Sequence, residues 1–194
     1  GNPIIIKGTI PFNKVNQEKN KNKEPFNKVN QEKNKNKELY LRLEGNEKFL
    51  EIIANLSGNN FYFEDGEVNF KVIFKGSLEK PIAFGYLQID NGEIKILKNN
   101  LKNLQTKIIV QKKVLDINYF EALGDELGKL SLVGSIPFYE GIQSNNKELK
   151  LRSENLKFTR NNIDLEIDSN ISLTGSIENP QIGGEIGLKN GFID

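Results

Sequence analysis

The sequence predicts a mainly β chain with one short helix near residues 47–56. Three observations carry this. Apolar residues recur with a period of two along most of the chain, as in Val68, Phe70, Val72 and Phe74, with Asn69, Lys71, Ile73 and Lys75 between them. The runs are punctuated by Asp65-Gly66 and Asn91-Gly92, pairs that tolerate positive φ and read as turns between strands. One passage is also written twice. Gly76 to Pro81 returns as Gly175 to Pro180, Gly85-Tyr86-Leu87 as Gly184-Glu185-Ile186, and Asn91-Gly92 as Asn190-Gly191. The constant offset keeps corresponding side chains on one face, which marks an architectural unit rather than a catalytic motif.

Taken in order, Ile4, Ile6, Gly8, Ile10 and Phe12 share one parity and predict a strand that bends or bulges at Gly8. Residues 11–24 are repeated unchanged as 25–38, rich in Lys and Asn. A sheet strand cannot absorb such an insertion without re-pairing, whereas a solvated surface loop can, because closure entropy grows slowly with length. Leu39, Leu41 and Leu43 alternate with Tyr40, Arg42 and Glu44 as a half-buried strand. The period then changes. Phe49, Ile52, Ile53 and Leu56 follow helical spacing, with Asn46 as N-cap and Gly58 as terminator. Strands resume at Phe61-Tyr62-Phe63 and at 68–74, and the unit from Gly76 to Ile96 reads as a strand 82–89, a turn and a second strand. Residues 98–104 read as a polar loop. Ile108 and Val110, then Leu115, Ile117 and Tyr119, predict two strands joined at Lys112-Lys113, and 120–129 is ambiguous. Leu130 to Phe138 restate the N-terminal strand, with Gly134-Ser135-Ile136-Pro137-Phe138 matching Gly8 to Phe12, and 149–152, 163–167 and 171–173 continue the β pattern. This divides the chain into a first β repeat, 1–97, connecting strands and a loop, 98–129, and a second repeat, 130–194. Without an initial Met, and ending in a strand-like run, it reads as a piece of a longer protein.

Composition excludes much chemistry. The net charge is +1, without the basic surplus that nucleic-acid binding requires. Cys, His, Met and Trp are absent, which removes thiol chemistry, zinc sites of the Cys/His type and His-based acid–base catalysis. Glu64, Asp65 and Glu67, or Asp125 and Glu126, are carboxylates at predicted turns, where such residues are ordinarily solvated. No catalytic residue, metal ligand or cofactor is expected, and no apolar run approaches the ~20 residues of a membrane helix.

A sheet with one apolar face must hide it against a second sheet, by closing as a barrel, or by curling into a trough. Periodicity does not choose between a closed sandwich and a trough with an accessible apolar floor. The candidate groove-lining residues are Leu41, Leu43, Phe61, Phe63, Val68, Phe70, Val72, Phe74, Leu87, Ile89 and Leu165, whose competing role is plain core.

The ordered combination Phe63-Glu-Asp-Gly-Glu-Val-Asn-Phe70, then Gly76-Ser-Leu-Glu-Lys-Pro81 through Asn91-Gly92, met again from Gly175 to Gly191, resembles the C-terminal domain of TamB and the wider AsmA-like group, which includes a chloroplast-envelope homologue. Gly128 to Phe138 resembles the strand that opens each repeat of that family. The resemblance implies an elongated, curled antiparallel sheet, a β-taco, around a hydrophobic groove. It further implies a segment of an envelope-spanning protein that shields phospholipid acyl chains between membranes and supports outer-membrane protein assembly. The implied partner is a TamA-like outer-membrane barrel of the Omp85 class, with any membrane anchor outside this segment. The implied location is the periplasm or the plastid intermembrane space. The alternative is a non-enzymatic scaffold that binds such a barrel or its substrates by β-augmentation.

Overall fold

The computed structural model describes residues 4–10, 38–56, 58, 60–97, 99–142, 148–160 and 163–193, so most of the duplicated segment, 11–37, lies outside the described residues. Among the described residues, ten strands form one antiparallel sheet in which each pairs with its sequence neighbour. They are β1 (Ile5–Thr9), β2 (Leu39–Gly45), β3 (Phe61–Gly76), β4 (Ile82–Ile96), β5 (Asn99–Lys112), β6 (Val114–Leu123), β7 (Lys129–Pro137), β8 (Leu149–Arg160), β9 (Ile163–Gly175) and β10 (Pro180–Ile193). β1 and β10 do not pair, so the sheet is not a barrel.

The helix α1 (Glu47–Leu56) lies between β2 and β3 where the change of period places it. The Asn46 side-chain oxygen accepts the Lys48 N–H at 3.4 Å, and Gly58 follows at φ +66°. Leu50 points into the apolar face of the sheet, in one cluster with Val68, Ile89, Ile94, Leu101, Leu104 and Ala122. A second cluster joins Ile117, Ile136 and Leu149.

Two expected turns are corrected. Asp65-Gly66 lies inside β3 and Asn91-Gly92 inside β4, and residues 99–104 of the expected loop belong to β5. These sites are bulges. The ladder shifts between Phe63 and Glu67, between Ile89 and Ile94, and between Lys102 and Gln105, at neighbouring points on β3, β4 and β5. Asn91 and Asn103 take φ of 52° and 51° there. A left-handed Asn serves a bulge as well as a hairpin, and the residues beyond it decide which forms. Ile94 and Ile96 continue to pair with Phe63 and Phe61, so the strand runs on. The aligned bulges form a crease across consecutive strands. At the crease the backbones approach so closely that a Cβ on Gly66, itself at φ +127°, would lie 2.6 Å from the Gly92 Cα. The crease continues at Asn155 (φ 47°), where β8 shifts register against β9.

Long-range bonds hold the curl. The Asn99 side chain on β5 donates to the Thr159 carbonyl on β8 at 3.4 Å and accepts the Thr159 N–H at 2.7 Å. Three strand steps in a flat sheet would separate these elements by ~14 Å. At the opposite end of the strands, the Tyr139 hydroxyl donates to the Pro81 carbonyl at 3.1 Å, joining the link after β7 to the link before β4. Ile177 N–H donates to the Pro137 carbonyl at 2.9 Å, across β8. The ambiguous stretch 120–129 resolves into the end of β6, a 3₁₀ turn at Asp125–Leu127 and the start of β7.

Candidate functional site

The register places the sequence candidates. Directly paired residues of an antiparallel ladder point to the same side. Leu41 pairs with Phe74 and Leu43 with Val72, and Phe61, Phe63, Val68 and Phe70 pair with Ile96, Ile94, Ile89 and Leu87. Following the ladders through β5 to β9 brings Leu165 to that same face, beside Phe158. All eleven candidates therefore line the inner face of the curl.

They divide by depth. Val68, Phe70 and Ile89 are buried, and Phe70 retains 1% exposure beneath Gly45. Leu41, Leu43, Phe61, Phe63, Val72, Phe74, Leu87 and Leu165 are half-buried. The middle of the face, from β3 to β6, is packed by its own side chains and by Leu50 of α1. Toward β10 it opens: Ile182, Ile186 and Leu188, which pair with Leu173, Ser169 and Ile167, are exposed on it. The inner face is thus largely apolar from β1 to β10, filled at its centre and bare toward both edges, since Ile6 of β1, which pairs with Leu43, is also exposed.

Several members were missed from sequence. Leu101 and Leu104 are fully enclosed, yet they sit three residues apart because Asn103 is a bulge, which hides the period of two. That spacing of three across a left-handed Asn is the signal that would have found them. The exposed apolar row of β10 was legible as the second copy of 83–89 but was not assigned to the groove.

Polar groups on the inner face are satisfied locally. The Thr106 hydroxyl donates to the Tyr119 carbonyl at 3.0 Å beside a bulge, and the Ser153 hydroxyl bonds the Ile167 carbonyl at 3.1 Å and the Ser169 hydroxyl at 2.8 Å. Charge lies on the other face. There Lys189 pairs with Asp168, whose second oxygen accepts the Asn155 N–H at 2.8 Å. The Lys189 ammonium, and then that N–H, hold the Asp168 carboxyl below its ordinary value. Glu148 is lowered in the same way by Lys150 and by the Ser172 hydroxyl. A cleft of about 570 Å³ lies over β5 to β8, lined by Gln105, Glu121, Lys129 and Arg152 together with Ala122 and Leu130. Among the described residues no group of acidic side chains has the geometry of a metal site, and no helix is long and apolar enough to cross a membrane.

No protein-family model and no solved structure matches the chain. Two curated proteins are similar to it. SUBSTANDARD STARCH GRAIN 4, chloroplastic, of Oryza sativa subsp. japonica is 28% identical over 120 residues, 60% of this chain. TIC236, chloroplastic, of Arabidopsis thaliana is 25% identical over 129 residues, 65% of this chain. The aligned part is 6% of the length of each of these much longer proteins, and the similarity links this chain loosely to large chloroplast proteins.

Proposed function

We propose that this chain is a segment of a TamB-related envelope protein whose curled sheet shields lipid acyl chains on their way between two membranes. The observation that carries the reading is the largely apolar inner face of a sheet that does not close, with large apolar side chains left bare toward its two edge strands. An acyl chain laid along that face gains ~0.8 kcal/mol for each CH₂ removed from water, while its headgroup stays at the lip. Leu50 and the packed centre over β3 to β6 mean that a guest lies toward the β10 or the β1 side, or displaces α1 to pass. The chloroplast names of the similar proteins favour the plastid intermembrane space over the bacterial periplasm as the setting. The function is binding rather than catalysis, and an Omp85-class barrel is the partner that this reading assigns to the parent protein.

The experiment is lipid mass spectrometry on the purified chain, followed by titration with a fluorescent fatty acid. Stoichiometric lipid, and quenching that Leu165→Asp and Leu188→Asp abolish while strand content is kept, support the reading. A chain free of lipid that also fails to take up the fatty acid overturns it.

A further inference from the structure

We propose that α1 is a displaceable plug over a side opening in the sheet, and that an acyl chain lifts it to reach the packed centre of the inner face. This rests on the lipid-shielding reading above and names the element that gates it.

The opening shows in the strand pairing. β2 accompanies β3 only from Leu39, opposite Gly76, to Gly45, opposite Phe70. From Phe61 to Asn69, β3 pairs with β4, and among the described residues no strand lies on its other side. The second copy of the pattern has no such gap. β8 follows β9 from Leu149, opposite Leu173, to Arg160, opposite Ile163. Gly45 faces Phe70, and Ser153 faces Ser169, the counterpart of Phe70 at the offset that relates the two copies. Past Ser153 the chain runs on as a strand; past Gly45 it turns into α1.

The helix covers what the missing strand leaves open. It packs on β3, and Leu50, 6% exposed, joins Val68, Ile89 and Leu104 in the central cluster, where an acyl chain crossing the inner face would lie. Its ten residues are few for a helix in water, and its last turn has no basic residue to offset the dipole. Its tethers lie outside it. Gly45 ends β2 against the Phe70 ring, and the Asn60 carbonyl accepts the Leu97 N–H at 2.8 Å. Between them Gly58, at φ +66°, has nothing within 4 Å of where a Cβ would stand. α1 can therefore lift between the tethers without breaking a strand pair.

Two measurements test the plug. In the lipid-free chain, amide exchange over a denaturant series is expected to show α1 opening locally. Its amides should exchange at least about tenfold faster than those of β3 and β4, and respond little to denaturant. In titrations with a fluorescent fatty acid, loosening α1 should tighten binding, because only the open fraction accepts a guest. Leu50→Ala is expected to bind at least about tenfold more tightly. Glu51→Gly weakens the helix at an exposed position, leaves the core untouched, and is expected to bind about fivefold more tightly. Damage to the sheet would act in the opposite direction. The plug is overturned if α1 exchanges only through global unfolding. It is also overturned if Glu51→Gly binds no more tightly than a parent chain that does take up the fatty acid. Local opening of α1 with no uptake by parent or variants overturns the lipid-shielding reading, and the plug with it.

Discussion

The Asn99 side-chain amide pairs with both backbone groups of Thr159, as a peptide group of an adjacent strand would. The hairpin of β6 and β7 stops short of this level: β7 begins at Lys129, opposite Glu154, and β8 continues to Arg160. Asn99 therefore supplies the ladder partner that the last residues of β8 lack, and it ties β5 to β8 across the mouth of the curl. Asn99→Ala is expected to cost about 1–2 kcal/mol, the worth of two such bonds. The specific signature is faster exchange of the Thr159 amide with the β3–β4 amides unchanged. A uniform loss of protection would mean that Asn99 matters only to global stability.

The close approach at Gly85 sets a second expectation. A methyl group there meets the Lys71 carbonyl across the β3–β4 ladder, in the middle of the sheet. Gly85→Ala is expected to lose at least about 2 kcal/mol through forced backbone movement. At this chain length that is a fall of about 4–8 °C in Tm. Gly184→Ala places the same contact on a terminal strand, where β10 can lift locally. Its melting temperature should fall by less than half as much, with the exchange of β10 selectively faster. Equal losses at both sites would argue that β10 is as well anchored as β4.

These positions also explain what could be read from sequence. The helix was legible because Phe49, Ile52, Ile53 and Leu56 change the period and Asn46 caps it. The inner face was legible because the period of two survives in Val68–Phe74 and again in β9. Strand ends were not legible wherever Asn or Asp preceded Gly. The local chemistry of Asn91-Gly92 suits a hairpin and a bulge equally, and only the pairing of Ile94 and Ile96 with β3 settles it. The bond from Asn99 to Thr159 had no sequence signal, because the curl that brings them together is a property of the whole sheet.

Phe70 and Leu188 test which part of the inner face is core and which is open. The sequence leaves Phe70 either lining a groove or packed as plain core. At 1% exposure, with its ring against Gly45, Phe70 is core. Phe70→Ala is therefore expected to cost about 3–5 kcal/mol, and Phe70→Asp to prevent folding. Leu188→Asp, on a side chain 63% exposed, should leave the denaturation midpoint nearly unchanged while weakening fatty-acid uptake. Thermal melts and fluorescent fatty-acid titration of the two variants read both effects. Unfolding by Leu188→Asp would contradict an open end at β10.

Asp168 joins three strands on the outer face, accepting the Asn155 N–H of β8 and pairing with Lys189 of β10. Its carboxyl is held below the ordinary 3.8, chiefly by Lys189 and then by that N–H. A folded-state value below the unfolded one gives stability that is present above 3.8 and lost as pH falls from there through the folded value. Lys189 is shifted the opposite way, above 10.5, so its share is present below 10.5 and lost as pH rises through the folded value. The anchoring of β10 should accordingly be level across neutral pH and weaken in acid. Asp168→Asn keeps an acceptor for the Asn155 N–H but removes the charge, so its β10 protection factors should be lower at pH 7 and less sensitive to acid. Salt should weaken β10 in the parent chain and leave the variant alone, because the pair is exposed and screened. If acid loosens β10 equally in both proteins, the sensitivity belongs to other carboxylates, of which Glu148, lowered by Lys150 and Ser172, is the first to substitute.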